Sequence, residues 1–111
     1  MYIDVDNQKT YIATGSKDHI QGNTGITFIH GTAMDHTVWT LASRHFARRG
    51  LNILAVDLPG HGRSEGEVIP SIEGMADWVV KALDASNQDK TIIVGHSMGS
   101  LVAFDVAARY P

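Results

Sequence analysis

The pentapeptide Gly95-His96-Ser97-Met98-Gly99 constrains this chain more than any other feature. It follows the apolar, β-branched run Thr91-Ile92-Ile93-Val94 and opens the apolar stretch Leu101-Val102-Ala103-Phe104. The first run favours a strand and the second a helix, so the pentapeptide must turn sharply between them. A serine at the apex of such a turn has its hydroxyl lifted clear of the sheet, where it can act as a nucleophile. Side chains two residues before and after it would collide across the bend. That is the physical reason for glycine at 95 and 99.

The rest of the chain supplies the sheet that such a turn needs. Strand and helix patterns alternate, which predicts an α/β fold with a mostly parallel sheet. Tyr2–Asp6 and Thr10–Thr14 alternate apolar and polar residues around Asn7-Gln8-Lys9, which predicts an amino-terminal hairpin on the sheet edge. Residues 15–25 are polar and glycine-rich, as in a surface loop. Ile26–Ile29 and Asn52–Val56 read as buried strands. Between them, Thr37 is expected to cap a helix to about Arg49, with Val38, Leu41, Ala42, His45 and Phe46 on its inner face and Gly50 ending it. Ser71 is expected to cap a second helix, whose stripe is Ile72, Met75, Ala76, Val79 and Leu83. The last helix, from Met98 to Arg109, is apolar nearly all round, with an Asp105–Arg109 pair on its polar strip.

Composition narrows the function. The chain has 111 residues, 43% of them hydrophobic, enough to pack one small domain. A net charge of −3 offers no basic face, which argues against nucleic acid and anionic membranes as partners. The absence of cysteine removes a thiol nucleophile, a disulfide scaffold and a cysteine metal site, and fits a reducing, cytoplasmic setting. Six histidines invite a metal reading, but none stands in a ligand spacing such as H-E-x-x-H, so no metal is expected. Gly60-His61-Gly62 lacks the lysine and spacing of a phosphate loop. Trp39 and Trp78 read as packing residues, and His19, His36 and His45 as surface or helix residues.

Three glycine-bearing turns each follow the carboxyl end of an expected parallel strand, where ligands bind in open α/β sheets. They are His30-Gly31-Thr32-Ala33, Asp57-Leu58-Pro59-Gly60-His61-Gly62-Arg63-Ser64, and the Ser97 turn. In order and spacing they resemble the α/β-hydrolase superfamily, in its type with an HG motif, a D-L-P-G-H-G-x-S turn and G-x-S-x-G. The resemblance runs from Tyr2 to Pro111 and implies an α/β-hydrolase fold.

It also implies roles. Ser97 is the expected nucleophile toward a small-molecule, ester-like substrate, through an acyl-enzyme and without a cofactor. The backbone N–H groups of Thr32 and Met98 are the expected oxyanion donors. His30, Gly31, Asp57, Pro59, Gly60, His61, Gly62, Ser64, Gly95, His96 and Gly99 are expected to shape the site, with the histidines structural or pocket-lining and not bases. Serine at 97 argues against the dehalogenase and epoxide hydrolase branches, whose nucleophile is aspartate. Haloperoxidase, carbon–carbon hydrolase, thioesterase and lactonase chemistries all use the same motifs.

In this superfamily the acid and the histidine base follow the serine in the chain, on loops after later strands. Only 14 residues follow Ser97, and Asp105 sits inside the helix. Residues 1–111 are therefore expected to form a single partial domain, the amino-terminal part of a larger hydrolase cut after the helix that Ser97 opens. The competing expectation is an inert fragment or an interaction module. Either way, Thr91–Val94 is expected to present an uncovered edge and the last helix to lose part of its cover.

Overall fold

The computed structural model describes all 111 residues. The hairpin forms from β1 (Tyr2–Val5) and β2 (Gln8–Ala13). Its turn is tighter than expected, with Asp6 (φ 52°) and Asn7 (φ 62°) alone between the strands. Two left-handed residues give a turn whose twist matches that of the strands it joins, and Asn and Asp tolerate that conformation.

The buried strands are β3 (Gly25–Ile29) and β4 (Asn52–Val56), and β5 (Thr91–Gly95) leads into the serine turn. The sheet is mixed, in the order β1-β2-β4-β3-β5. β3 pairs in parallel with β4 and β5, and β2 joins β4 antiparallel. In register, Ile26 stands beside Ile53 and Ile92, and Ile29 beside Val56 and Gly95. The three parallel strands thus end side by side, and the three motif turns leave from those ends.

Two layers cover the sheet. α2 (Ile72–Ala85) begins at Ser71, whose hydroxyl accepts the Gly74 N–H at 3.0 Å, the cap its sequence predicts. α2 buries Met75, Ala76, Trp78, Val79, Ala82 and Leu83. α3 (Met98–Arg109) packs beside it and buries Gly99, Val102 and Val106. Together with Val5, Ile12, Ile29, Leu54 and Val56 they form the larger core. Each such aliphatic side chain contributes about 1.5–3 kcal/mol when fully removed from water.

The other face is thinner, and here the structure departs from expectation. Asp35, not Thr37, caps the first helical segment: its carboxylate accepts the Thr37 N–H at 2.8 Å. That segment is a 3₁₀ turn, His36–Trp39, followed by the short helix α1 (Thr40–Ala47). A 3₁₀ turn advances about 20° more per residue than an α-helix, so the inner stripe changes phase. Val38 and Leu41 point outward, at 50% and 83% exposure. Ser43 and Ala47 are buried instead, and Trp39 stacks on Phe28 with ring centroids 4.8 Å apart. Gly50, with φ 83°, closes the segment as expected. On α3, Arg109 meets Asp105 at 2.6 Å, the pair read from the sequence.

Candidate functional site

Ser97 adopts φ 56°, ψ −121°, at the residue before α3. A non-glycine residue held there costs about 1–3 kcal/mol, so the surroundings must impose it. They do so through close backbone approach. A Cβ on Gly95 would overlap the Gly99 carbonyl, and one on Gly99 would overlap the Ile29 carbonyl. The His96 N–H donates to the Ile29 carbonyl at 3.1 Å, tying the turn to the end of β3. Ser97 is exposed and makes no side-chain capping bond, so its hydroxyl is not spent on the helix. Met98 is the first helical residue, and its N–H has no acceptor within the helix.

The His30-Gly31-Thr32 turn lies against this elbow. A Cβ built on Gly31 would sit 3.3 Å from the Cβ of Ser97, the carbonyl of His96 and the sulfur of Met34. The Thr32 hydroxyl donates to the Met98 sulfur at 3.4 Å, so the two residues named as oxyanion donors are neighbours.

His30 is fully buried, and both its ring nitrogens are engaged. Nδ1–H donates to the Gly31 carbonyl at 2.8 Å, and Nε2 accepts the Leu58 N–H at 3.1 Å. The ring is thereby a neutral staple between two of the turns, and burial holds its pKa below the ordinary value. The His61 ring packs 4.9 Å away, with Nδ1–H donating to the Pro59 carbonyl at 3.0 Å. His96 is exposed.

The third turn wraps the carboxylate of Asp57, which is completely buried. It accepts the His36 N–H at 2.7 Å, the His36 Nδ1–H at 3.0 Å and the Arg63 N–H at 2.9 Å. Gly62, with φ 51°, passes so close that a Cβ would overlap the carboxylate. The Ser64 hydroxyl donates to the Asp57 carbonyl at 2.6 Å and accepts the Tyr11 N–H at 3.0 Å, which anchors the turn to β2. Pro59 is buried and Gly60 (φ 73°) bends away beside Val68.

His36, expected as a surface or helix residue, opens the 3₁₀ turn, with its side chain 14% exposed. Its ring lies on Asp57 and 4.9 Å from the Tyr11 ring, because the buried carboxylate recruits the nearest donors. Nothing local in the sequence marks it, since its partner is 21 residues away. Asp35, His36 and Asp57 also come within 4.8 Å of one another, a grouping the spacing did not show. Both Asp57 oxygens and the Asp35 Oδ1 already accept donors, and the Thr37 hydroxyl and N–H hold the Asp35 carboxyl below its ordinary pKa.

A family model described as alpha/beta hydrolase fold matches residues 24–111. The chain belongs to that family. A pimeloyl-[acyl-carrier protein] methyl ester esterase of Citrobacter koseri is 36% identical over 91 residues, covering 82% of this chain and 34% of the relative. An (E)-2-((N-methylformamido)methylene)succinate hydrolase of Acinetobacter baylyi is 28% identical over 87 residues, 78% of this chain and 33% of the relative. The chain thus spans about a third of the length of the curated relatives it matches. Among solved structures, Est816, an N-acyl homoserine lactone degrading enzyme, superposes on all of this chain and 41% of its own, at 28% identity and TM-score 0.82. This α/β-hydrolase chain contains no helix long and apolar enough to cross a membrane.

Proposed function

We propose that this chain carries the nucleophile and oxyanion donors of a serine hydrolase acting on small-molecule esters or lactones. The left-handed Ser97 at the head of α3, with the Gly31 loop pressed against it, carries this reading. In the proposed step the Ser97 Oγ bonds to the acyl carbon and the carbonyl electron pair moves onto oxygen. The N–H groups of Thr32 and Met98 hold that oxyanion, and each such donor is worth about 10²- to 10³-fold in rate. Collapse expels the leaving-group oxygen, which takes up a proton, and water then hydrolyses the acyl-enzyme. The serine proton needs a base oriented by an acid. His30 is engaged at both ring nitrogens, and His36 and His61 at Nδ1; by resemblance to the family neither these nor His96 is the base, so base and acid are proposed to come from outside these 111 residues. The esterase and lactone-degrading relatives support the substrate class. The cysteine-free composition supports a cytoplasmic setting.

A fluorophosphonate probe tests the reading. Joined to a segment that supplies base and acid, the chain is expected to be labelled at Ser97, and Ser97→Ala to abolish labelling. Labelling that survives in Ser97→Ala overturns the assignment. The 111 residues alone are expected to react little; rapid labelling there would show that no outside base is needed. A second reading, an interaction module, is favoured by the exposed Leu101 and Phe104 on α3. It gains only if the joined protein stays unlabelled.

A further inference from the structure

We propose that His36 and Asp57 are positioning residues that hold the Gly31–Thr32 loop in place against Ser97, a role that rests on the serine-nucleophile reading above. The consecutive residues Asp57 and Leu58 grip this loop at both ends. Leu58 donates its N–H to His30 at the start, and Asp57 takes the N–H and the ring of His36 at the finish. Between those two grips lie only residues 31–35, and Thr32 is among them.

The grip at the finish depends on a buried charge. The Asp57 carboxylate has no contact with water, and His36 is the one side chain that ion-pairs with it. Such a group must be satisfied by donors or be driven from its place. On the turn side it has no room to move, because Gly62 passes against it and the Arg63 N–H is fixed there. The loop side must yield when the ring donor is lost. A shift of the loop moves the Thr32 N–H relative to the oxyanion, and misplacement by about 1 Å can cost 10²-fold in rate. The Tyr11 ring packs on the other side of His36 and keeps it facing Asp57.

Two substitutions separate the donor from the ring. His36→Phe keeps the ring beside Tyr11 and removes the Nδ1–H, whereas His36→Asn loses the ring but retains an N–H near the same place. Nitrogen-15 relaxation of the full chain is expected to show residues 31–35 rigid in the parent and in His36→Asn. In His36→Phe their order parameters should fall from about 0.85 toward 0.6, with β3 and β4 unchanged. Phosphonylation of Ser97 in the base-completed protein should slow about 10- to 100-fold in His36→Phe and recover in His36→Asn. The proposal is overturned if His36→Phe leaves the loop rigid and Ser97 equally reactive. It is also overturned if both variants are impaired alike, in parallel with a lower unfolding midpoint, which would mark a merely structural contact. If Ser97 is not modified even in the base-completed protein with His36 intact, the serine reading fails and the relaxation data alone decide the clamp. Should His36→Phe not fold, His36→Ala replaces it with the same expectations.

Discussion

The two flanks of the three-strand parallel core are built on opposite terms. At the carboxyl ends of the strands, the turns are held by buried and part-buried polar bonds: His30 to Leu58, Asp57 to His36 and Arg63, Ser64 to Tyr11, and His96 of the serine turn to Ile29. Along the outer edge of β5 and the outer side of α3, apolar side chains face water, with Ile92 53%, Leu101 58% and Phe104 76% exposed. A groove of about 940 Å³ runs there between α2, β5 and α3, and no residue of the three motif turns lines it. Buried polar groups tolerate little displacement, since each lost partner leaves a desolvated charge or dipole. An exposed apolar side chain has few contacts to lose. The turn region is therefore specified residue by residue, and the β5–α3 flank is not.

The sharpest way to break that contrast is at Gly99. Alanine there must displace the Ile29 backbone or unwind the elbow, because the carbonyls of Ile29 and His30 occupy the space a Cβ needs. Gly99→Ala is expected to destabilise by about 4 kcal/mol or more, enough to unfold a marginal domain. Urea denaturation monitored by tryptophan fluorescence measures it, and an unchanged midpoint would mean the close approach is relieved at no cost. Asp57→Ala comes next, at about 3–5 kcal/mol, since it strands the donors of His36 and Arg63 beside an unfilled cavity. A loss below about 1 kcal/mol would show the turn to be far less constrained than its bonds suggest.

A smaller effect concerns pH. Burial lowers the pKa of His30 in the folded chain below its ordinary value of 6.5. The unfolded chain then binds more protons than the folded one in the window just under that value. Stability from the neutral ring is fully present above about 6.5 and is lost as pH falls toward the folded-state pKa. Urea midpoints between pH 8 and 5 are expected to fall on acidification, and to fall less steeply in His30→Gln. Equal slopes would remove His30 from the account.

What is legible in the sequence divides differently, between local pattern and distant polar partners. Features carried by local pattern are where they were expected: the strand Asn52–Val56, the Ser71 cap, the Gly95–Gly99 bend and the Asp105–Arg109 pair. Of the inner face expected for α1, Ala42 and Phe46 pack on the core, whereas Val38, Leu41 and His45 face outward because a 3₁₀ opening shifts the phase, which no apolar count over residues 37–46 reveals. His36 stands in a helical turn as expected, but its ring partner does not show in the sequence, because it is a buried carboxylate distant in the chain. The polar staple at the opposite ends of the strands was equally silent. There, buried Asn52 and Gln88 bond to each other at 3.0 Å and to the carbonyls of Ile20, Asn23 and Lys90. Periodicity reports which side of an element is apolar. It does not report which distant polar groups a buried atom will find.

The smallest expected change tests the uncovered flank. Phe104 is exposed on α3, so the folded chain keeps little of the benefit of removing its ring from water. Phe104→Ser should therefore alter the urea midpoint by no more than about 0.5 kcal/mol, the slightly lower helix propensity of serine acting against it. The same change removes the most exposed apolar side chain of α3, a helix on which Leu101 is exposed as well, and exposed apolar surface favours association. Sedimentation at rising concentration should then show less self-association for Phe104→Ser than for the parent, at nearly equal stability. Val102→Ser on the buried side of the same helix provides the contrast: a core hydroxyl without a partner and a small cavity should cost several-fold more. If the two substitutions cost the same, Phe104 is covered in solution, and the flank is as firmly specified as the turns.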